Sequence, residues 1–372
     1  MKRIFAVILV TALVLSGCGT LVPAKSTAPT AQEPAPTETQ TAAQESGPQS
    51  TEPAQTEAPA PAYFNPLNGA PMDEPYTGRI IALPISNVYY ALPHYGTNQA
   101  DILMEMWVNG SIIRDLALYT DPSKVPQIGS IRSVRMMFNQ IVTHYDAILF
   151  DAGGDSRVLT QSKTLGVDRF NIYADTNAPT YYSVRDMSRD FMFKTSDKYE
   201  HCLFAKGEGL LQLAESKGFA TTQDAGKDYF LRFVDDGTPA GGTDANQVSV
   251  TFTYNGNKKS TTMVYNKDLG KYVYNQYDKE MVDGATGEPE AFNNVIVMLA
   301  KITTNSIYHV ADFSAGGEGY FACGGKVVPI YWLADSDTSP FRFFTMDGEP
   351  LNLNRGNTYI AVAPTGSPVE CK

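Results

Sequence analysis

The chain has 372 residues, 43% of them hydrophobic, and a formal charge of −11. An acidic chain without a basic run excludes nucleic acid as a partner and excludes charge-driven attachment to anionic lipid. Only 4 cysteines are present and no zinc-type CxxC occurs, so no disulfide framework, metal or cofactor is expected and the fold must rest on its core.

Lys2 and Arg3 precede an apolar run from Ile4 to Leu15, too short for a permanent membrane span. The run ends in Leu15-Ser16-Gly17-Cys18, the pattern that bacterial lipoprotein processing cleaves and acylates. Residues 1–17 therefore read as a signal peptide, and Cys18 as the lipidated, palmitate-bearing new N-terminus. That places the chain on the outer face of the bacterial cell membrane, held by acyl groups. Processing removes Lys2 and Arg3 and takes the charge from −11 to −13. Cys202, Cys323 and Cys371 remain, an odd set that allows one disulfide at most. Residues 18–62 are nearly all Ala, Pro, Thr, Gln, Glu and Ser without one aromatic, a composition that predicts a disordered, extended tether.

The remainder reads as an α+β protein: a mixed α/β domain over 63–227 and a β-rich domain over 228–372. Ile80 to Ile85 predicts a first strand. Ile102 to Val108 and Ser111 to Tyr119 flank Asn109-Gly110, the strongest short hairpin signal. A two-residue turn there places Glu105 opposite Arg114 and Trp107 opposite Ile112. Next, Val134, Met137, Phe138, Ile141 and Val142 follow the spacing of one apolar helix face, with Ser130 as the expected N-cap. Arg132 and Arg135 then lie three apart in the expected first turn. Ala147 to Phe150 reads as a buried strand that ends on Asp151-Ala-Gly-Gly-Asp155. A strand-end loop beside a helix start is a favoured ligand position in α/β proteins.

Tyr181 to Lys194 places Arg185 and Arg189 at i, i+4, and His201-Cys202 precedes a helix near 208–216 that Gly218 stops. Neighbouring side chains point apart, so His201-Cys202 is no catalytic dyad. From Tyr229 onward the pattern turns to short alternating strands with Asn255-Gly256 and Asp347-Gly348 turns. Trp332, Phe341 and Tyr359 are expected in the core, with a sugar-stacking platform as the alternative.

Several strings resemble a known family: Gln99-Ala100-Asp101-Ile102, Ile128-Gly129-Ser130-Ile131-Arg132-Ser133, Tyr145-Asp146-Ala147-Ile148, Asn294 to Val297, Phe341-Arg342-Phe343 and Leu351-Asn352-Leu353-Asn354. Together they are similar to the YerB-like bacterial surface lipoproteins, a family of unknown function with paired N- and C-terminal modules. The resemblance implies a cell-envelope setting and the two-module order. The chain departs from the family pattern at Asp151 and Asp155, where histidine and serine are usual, and at Cys202, where asparagine is usual.

Three functions are compatible with these residues. The preferred one is binding of an anionic envelope ligand, peptidoglycan or teichoic acid, by Arg132, Arg135, Arg185 and Arg189 with Glu105, Arg114, Asp151 and His201 alongside. A cell-wall hydrolase or transferase would use Asp151, Asp155, Glu105 and His201 as acid, base or metal ligands. No nucleophile motif or HExxH supports catalysis, so a non-catalytic role is expected. The third is a scaffold for an envelope protein partner.

Overall fold

A computed structural model describes residues 61–174, 180–186, 188, 201–223, 226–254 and 256–372. The expected signal segment, Cys18, the expected tether as far as residue 60, and Arg189 lie outside the described residues.

The main elements, in chain order, are β1 (Ile81–Ser86), β2 (Ile102–Asn109), β3 (Ile112–Tyr119), α1 (Met136–His144), β4 (Ile148–Asp151), α2 (Ser156–Thr164), β5 (Arg169–Asn171) and α3 (Gly207–Ser216). There follow β6 (Gln247–Tyr254), β7 (Asn257–Asn266), β8 (Lys271–Gln276), β9 (Asn294–Asn305), β10 (Gly317–Cys323), β11 (Lys326–Leu333) and β12 (Thr358–Pro364). Strand dominates over helix. The strands expected near 80–85, 248–254, 261–265, 295–300, 320–323, 327–332 and 359–363 all form, most of them longer than the pattern alone marks out.

One large sheet runs β5, β4, β1, β3, β2, β12, β9, β10, β11. β12 is its keystone. It pairs in parallel with β2 on one side and with β9 on the other, so that Ala361 lies beside both Glu105 and Val297. Its sequence, TYIAVAP, is apolar almost throughout because both of its faces are covered. Ile360 and Val362 enter one core with Met104, Leu116 and the α1 residues Met137, Phe138, Ile141 and Val142. Tyr359, Ala361 and Ala363 enter the other, with Leu103, Trp107, the α3 residues Leu210 and Leu213, and Tyr272 and Tyr274 of β8. β6, β7 and β8 form a second antiparallel sheet over that face. Residues 63–227 and 228–372 thus share one sheet inside a single compact unit, Pro59–Lys372.

Two local expectations are corrected. The hairpin turns at Gly110-Ser111, where Gly110 takes φ +50, and a bulge near Val108 shifts the register. Glu105 therefore faces Asp115, and Arg114 faces Met106. A one-residue slip reverses the face, so Arg114 lies on the opposite side of the sheet from Glu105. The helix begins at Met136, and its N-cap position is Arg135, with extended backbone. Ser130 caps nothing. Residues 131–134 are drawn out straight because Ile131 bridges Ile85, Arg132 N donates to Pro84 O at 2.8 Å, and Val134 N donates to Gly153 O at 2.9 Å. Those bonds take the amides that a helix start would leave free. Arg132 and Arg135 consequently do not share a helical turn. Trp332, Phe341 and Tyr359 are buried, as expected of core aromatics.

A shared sheet requires the two sequence halves to unfold together. Trp107 and Trp332 lie in different halves, so single-tryptophan variants made by Trp→Phe report each one. Their denaturant midpoints should coincide, and Ile360→Ala should lower both together, with a loss of unfolding free energy of about 2–5 kcal/mol through the cavity it leaves. Separate midpoints would refute the shared-sheet account.

Candidate functional site

The corrected register brings Glu105 and Asp115 side by side on a face with no exposure to solvent. Two buried carboxylates need donors and counter-charge, and both come from distant segments. Glu105 Oε1 accepts from the Asn87 amide at 3.1 Å and pairs with the Lys259 ammonium. Its Oε2 accepts from Thr261 Oγ1 at 2.7 Å and from the Tyr359 hydroxyl. The Asn87 amide also donates to Asp115 Oδ1 and to the Tyr274 oxygen, each at 2.9 Å. His94 Nε2 lies 3.7 Å from the second Asp115 oxygen, an ion-pair separation rather than a hydrogen bond. On its other side, His94 Nδ1 meets Glu290 Oε2 at 3.1 Å.

Electrostatics follow from that arrangement. Burial pushes the Asp115 carboxyl up to about 8, with His94 pulling down and the Glu105 charge adding to the rise. For His94, burial alone would lower the imidazole, but Glu290 and Asp115 outweigh it and raise it to about 9. Both shifts favour the protonated forms, an imidazolium at His94 and a neutral carboxyl at Asp115, while Lys259 pairs with Glu105.

The cluster meets the surface at Lys259. That residue lines an open basin of about 260 Å³ with Lys258, Lys279 and Tyr277, while its ammonium points inward to Glu105. Tyr277 donates to Asn87 O at 3.3 Å, Tyr89 packs edge-on against it at 5.7 Å, and the Lys279 ammonium lies 5.5 Å from the Tyr89 ring. Tyr277 and Asp278 turn the chain at φ +52 and +56, a left-handed conformation that costs non-glycine residues energy and is often kept at working surfaces.

The residues singled out from sequence are dispersed around this centre. Arg114 Nη1 donates to Ser133 O at 2.7 Å. Arg135 donates to Asn109 Oδ1 at 2.9 Å and to the Val134 and Ser133 carbonyls at 2.8 and 3.3 Å. The two arginines thus converge on one main-chain oxygen. Arg132 is partly exposed, and its main chain ties Pro84 to Ala152. Asp151 is fully buried and takes a two-pronged bond from Arg169 at 2.8 and 2.6 Å, plus Gly153 N at 2.6 Å. Burial pushes its carboxyl up to about 6 against the pull of Arg169. Strand alternation puts Asp151 with Leu149 on the sheet face opposite Glu105. Asp155 Oδ1 accepts from Arg157 N at 3.0 Å and so caps α2. His201 Nδ1 meets Ser86 Oγ at 3.1 Å, and Ser86 is the β1 neighbour of Arg114. Arg185 is paired with Leu203, and its guanidinium lies 4.6 Å from the Tyr173 ring. Among the described residues Cys202, Cys323 and Cys371 form no disulfide, and no group of side chains is arranged to hold a metal ion.

Sequence reasoning missed Asn87, His94, Asp115, Lys259 and Glu290. A signal existed for Asp115, a charge in the apolar run IIRDLALY, as Glu105 is in ILMEMWV. Nothing local marks Lys259 or Glu290.

His94 binds its proton more tightly when folded (about 9) than its ordinary value of 6.5. Its contribution to stability is therefore complete below about pH 6.5, fades as pH rises, and is gone above about pH 9. Asp115, raised from 3.8 to about 8, acts in the same direction. Denaturant unfolding across pH 6.5 to 9 should show falling stability, with a flatter slope in His94→Asn. A flat wild-type profile would contradict the charge assignment.

Residues 67–220 match the N-terminal domain, and residues 249–360 the C-terminal domain, of a protein family of unknown function, DUF3048. Over 307 residues the chain is 24% identical to the Bacillus subtilis protein named "Putative lipoprotein YerB", covering 80% of this chain and 86% of that protein. The crystal structure of YerB from Bacillus subtilis has the same fold, with a TM-score of 0.69 at 22% identity over 82% of this chain and 99% of that one. Both halves of the shared sheet are therefore accounted for by one paired set of domains, and the chain belongs to the DUF3048 family, in the YerB-like group.

Proposed function

We propose that this chain is a lipid-anchored extracytoplasmic protein that binds an anionic segment of a cell-envelope polymer, such as a peptidoglycan stem carboxylate or a teichoic-acid phosphate. The observation that carries this reading is the lysine basin. On a chain of net charge −11, Lys258, Lys259 and Lys279 gather around one open depression that contains a single carboxylate, Asp278. A local field opposite in sign to the whole molecule selects an anion. Lys259 is anchored from below by Glu105, whereas Lys258 and Lys279 are exposed and available. The basin is preferred here to the arginine cleft expected from the sequence, because Arg135, one member of that cleft, and the neighbouring Arg114 direct donors to main-chain carbonyls. A hydrolase built on Asp151, Glu105 and His201 has less support, since Asp151 and Glu105 lie on opposite faces of the sheet. The Leu15-Ser16-Gly17-Cys18 pattern and the lipoprotein name of the Bacillus relative support the anchor.

Binding is tested with the full chain in a zwitterionic, sugar-free detergent, titrated with glycerol-phosphate oligomers and muropeptides. A ligand at a hundred times its Kd adds roughly 2.7 kcal/mol to stability, a visible melting shift. Lys258→Ala with Lys279→Ala should abolish that shift, and raised salt should weaken it. Should Arg132→Ala abolish it and the lysine pair leave it intact, the arginines are the site and the basin is not.

The anchor has its own test. Cys18→Ala should lose incorporation of labelled palmitate and move the chain from the membrane fraction to the medium. Undiminished labelling would exclude Cys18 as the acylated residue.

A further inference from the structure

A second groove opens on another part of the surface, where the described chain begins. Tyr63 and Phe64 stand 42% and 41% exposed on a short hairpin with Pro71–Met72. A depression of about 410 Å³ lies between Phe64, Tyr229, Phe233 and Arg355. Another, of about 160 Å³, lies between Tyr63, Phe64, Tyr76 and Gln223. The two share Phe64, Pro66, Gly226 and Lys227, so they form one bent groove.

Its charges are already answered. The Arg355 guanidinium lies 4.2 Å from the Phe64 ring while Nε donates to Asp235 at 2.6 Å and Nη1 to Gly69 O at 2.7 Å. Lys227 pairs with Asp146 at 3.0 Å. With both cations matched by carboxylates and a further carboxylate, Asp228, in the lining, the groove has little claim on an anion, in contrast to the lysine basin. It keeps aromatic faces and fixed hydrogen-bonding groups. Gln223 Nε2 donates to the Tyr229 hydroxyl at 2.6 Å, which fixes the orientation of the amide in the groove wall.

Aromatic faces edged by amide and guanidinium groups match a pyranose ring, which offers a C–H face for stacking and equatorial hydroxyl or N-acetyl groups at its rim. We propose that this groove binds a neutral oligosaccharide, at least two rings long, stacked on Phe64 and Tyr63.

The test is calorimetry on the full chain in a zwitterionic detergent that carries no sugar. The probes are a β-1,4 N-acetylglucosamine tetramer, cellotetraose and maltotetraose. At least one should bind, Phe64→Ala should weaken it about tenfold, and the Lys258→Ala, Lys279→Ala pair should leave it unchanged. Phe64 also touches Arg355, so Tyr63→Ala serves as a second variant and should weaken the same probe with an unaltered melting temperature. Binding by none of the three tetrasaccharides overturns the proposal, as does binding that survives both aromatic substitutions.

Discussion

Glu105 lies in the middle of β2 with no solvent contact, and its carboxylate determines much of what surrounds it. An ion so placed is expensive to bury unless it is both paired and fully hydrogen-bonded. Four donors answer it: Asn87 from the segment just after β1, Lys259 and Thr261 from β7, and Tyr359 from β12. Through Asn87 the same network takes in Asp115, and through Asp115 it takes in His94 and Glu290. Asn87, His94, Glu105 and Asp115 belong to the N-terminal family segment. Lys259, Thr261, Tyr274, Glu290 and Tyr359 belong to the C-terminal one. The cluster is therefore a lock between the two, laid across the seam that β12 closes.

Such a lock is better understood as specificity than as stability. Replacing a buried ion pair by apolar groups is often neutral or better for stability, whereas removing one partner is costly because the other is left charged and alone. β12 needs a device of this kind. Its two parallel neighbours come from distant parts of the sequence, and an apolar strand such as TYIAVAP carries little in its own pattern to fix its register. The hydrogen bond from the Tyr359 hydroxyl to Glu105 supplies that fix, since a slip by one residue would move the hydroxyl to the other face and leave the carboxylate without it.

Much of the strand content was legible because alternation and Asn-Gly turns are local signals. Register was not. Asn109-Gly110 announces a hairpin correctly, but the bulge near Val108 is a tertiary adjustment and it reverses which charge shares a face with Glu105. The helix start failed for a related reason: Ser130 is a good N-cap in isolation, yet the amides of 131, 132 and 134 donate to Leu203, to Pro84 of β1 and to Gly153. Glu105 was visible as a charge in an apolar run. Its partner Lys259 was not, because an alternating lysine in NKKSTTMVY looks like any solvated strand position. Only the packing of the second sheet over β2 brings that ammonium inward.

The distribution of cations follows the same physics. Arg79, Arg114, Arg135 and Arg169 each satisfy main-chain carbonyls or buried carboxylates, work suited to a planar group with five donors. Lysines hold the open positions: Lys258 and Lys279 at the basin rim and Lys259 between rim and cluster. A strongly hydrated ammonium on a flexible stem loses less by staying in water and meets a mobile polyanion without fixed geometry. Lys259 couples the two regimes. On the proposed reading, an anion in the basin would compete with Glu105 for that ammonium, and Glu105 is bonded in turn to Tyr359 and to Asn87, which reaches Asp115. The seam between the two family segments is thereby within one side chain of the candidate ligand surface, so a ligand that binds one fit of the halves better than another would shift their equilibrium only by that difference in affinity.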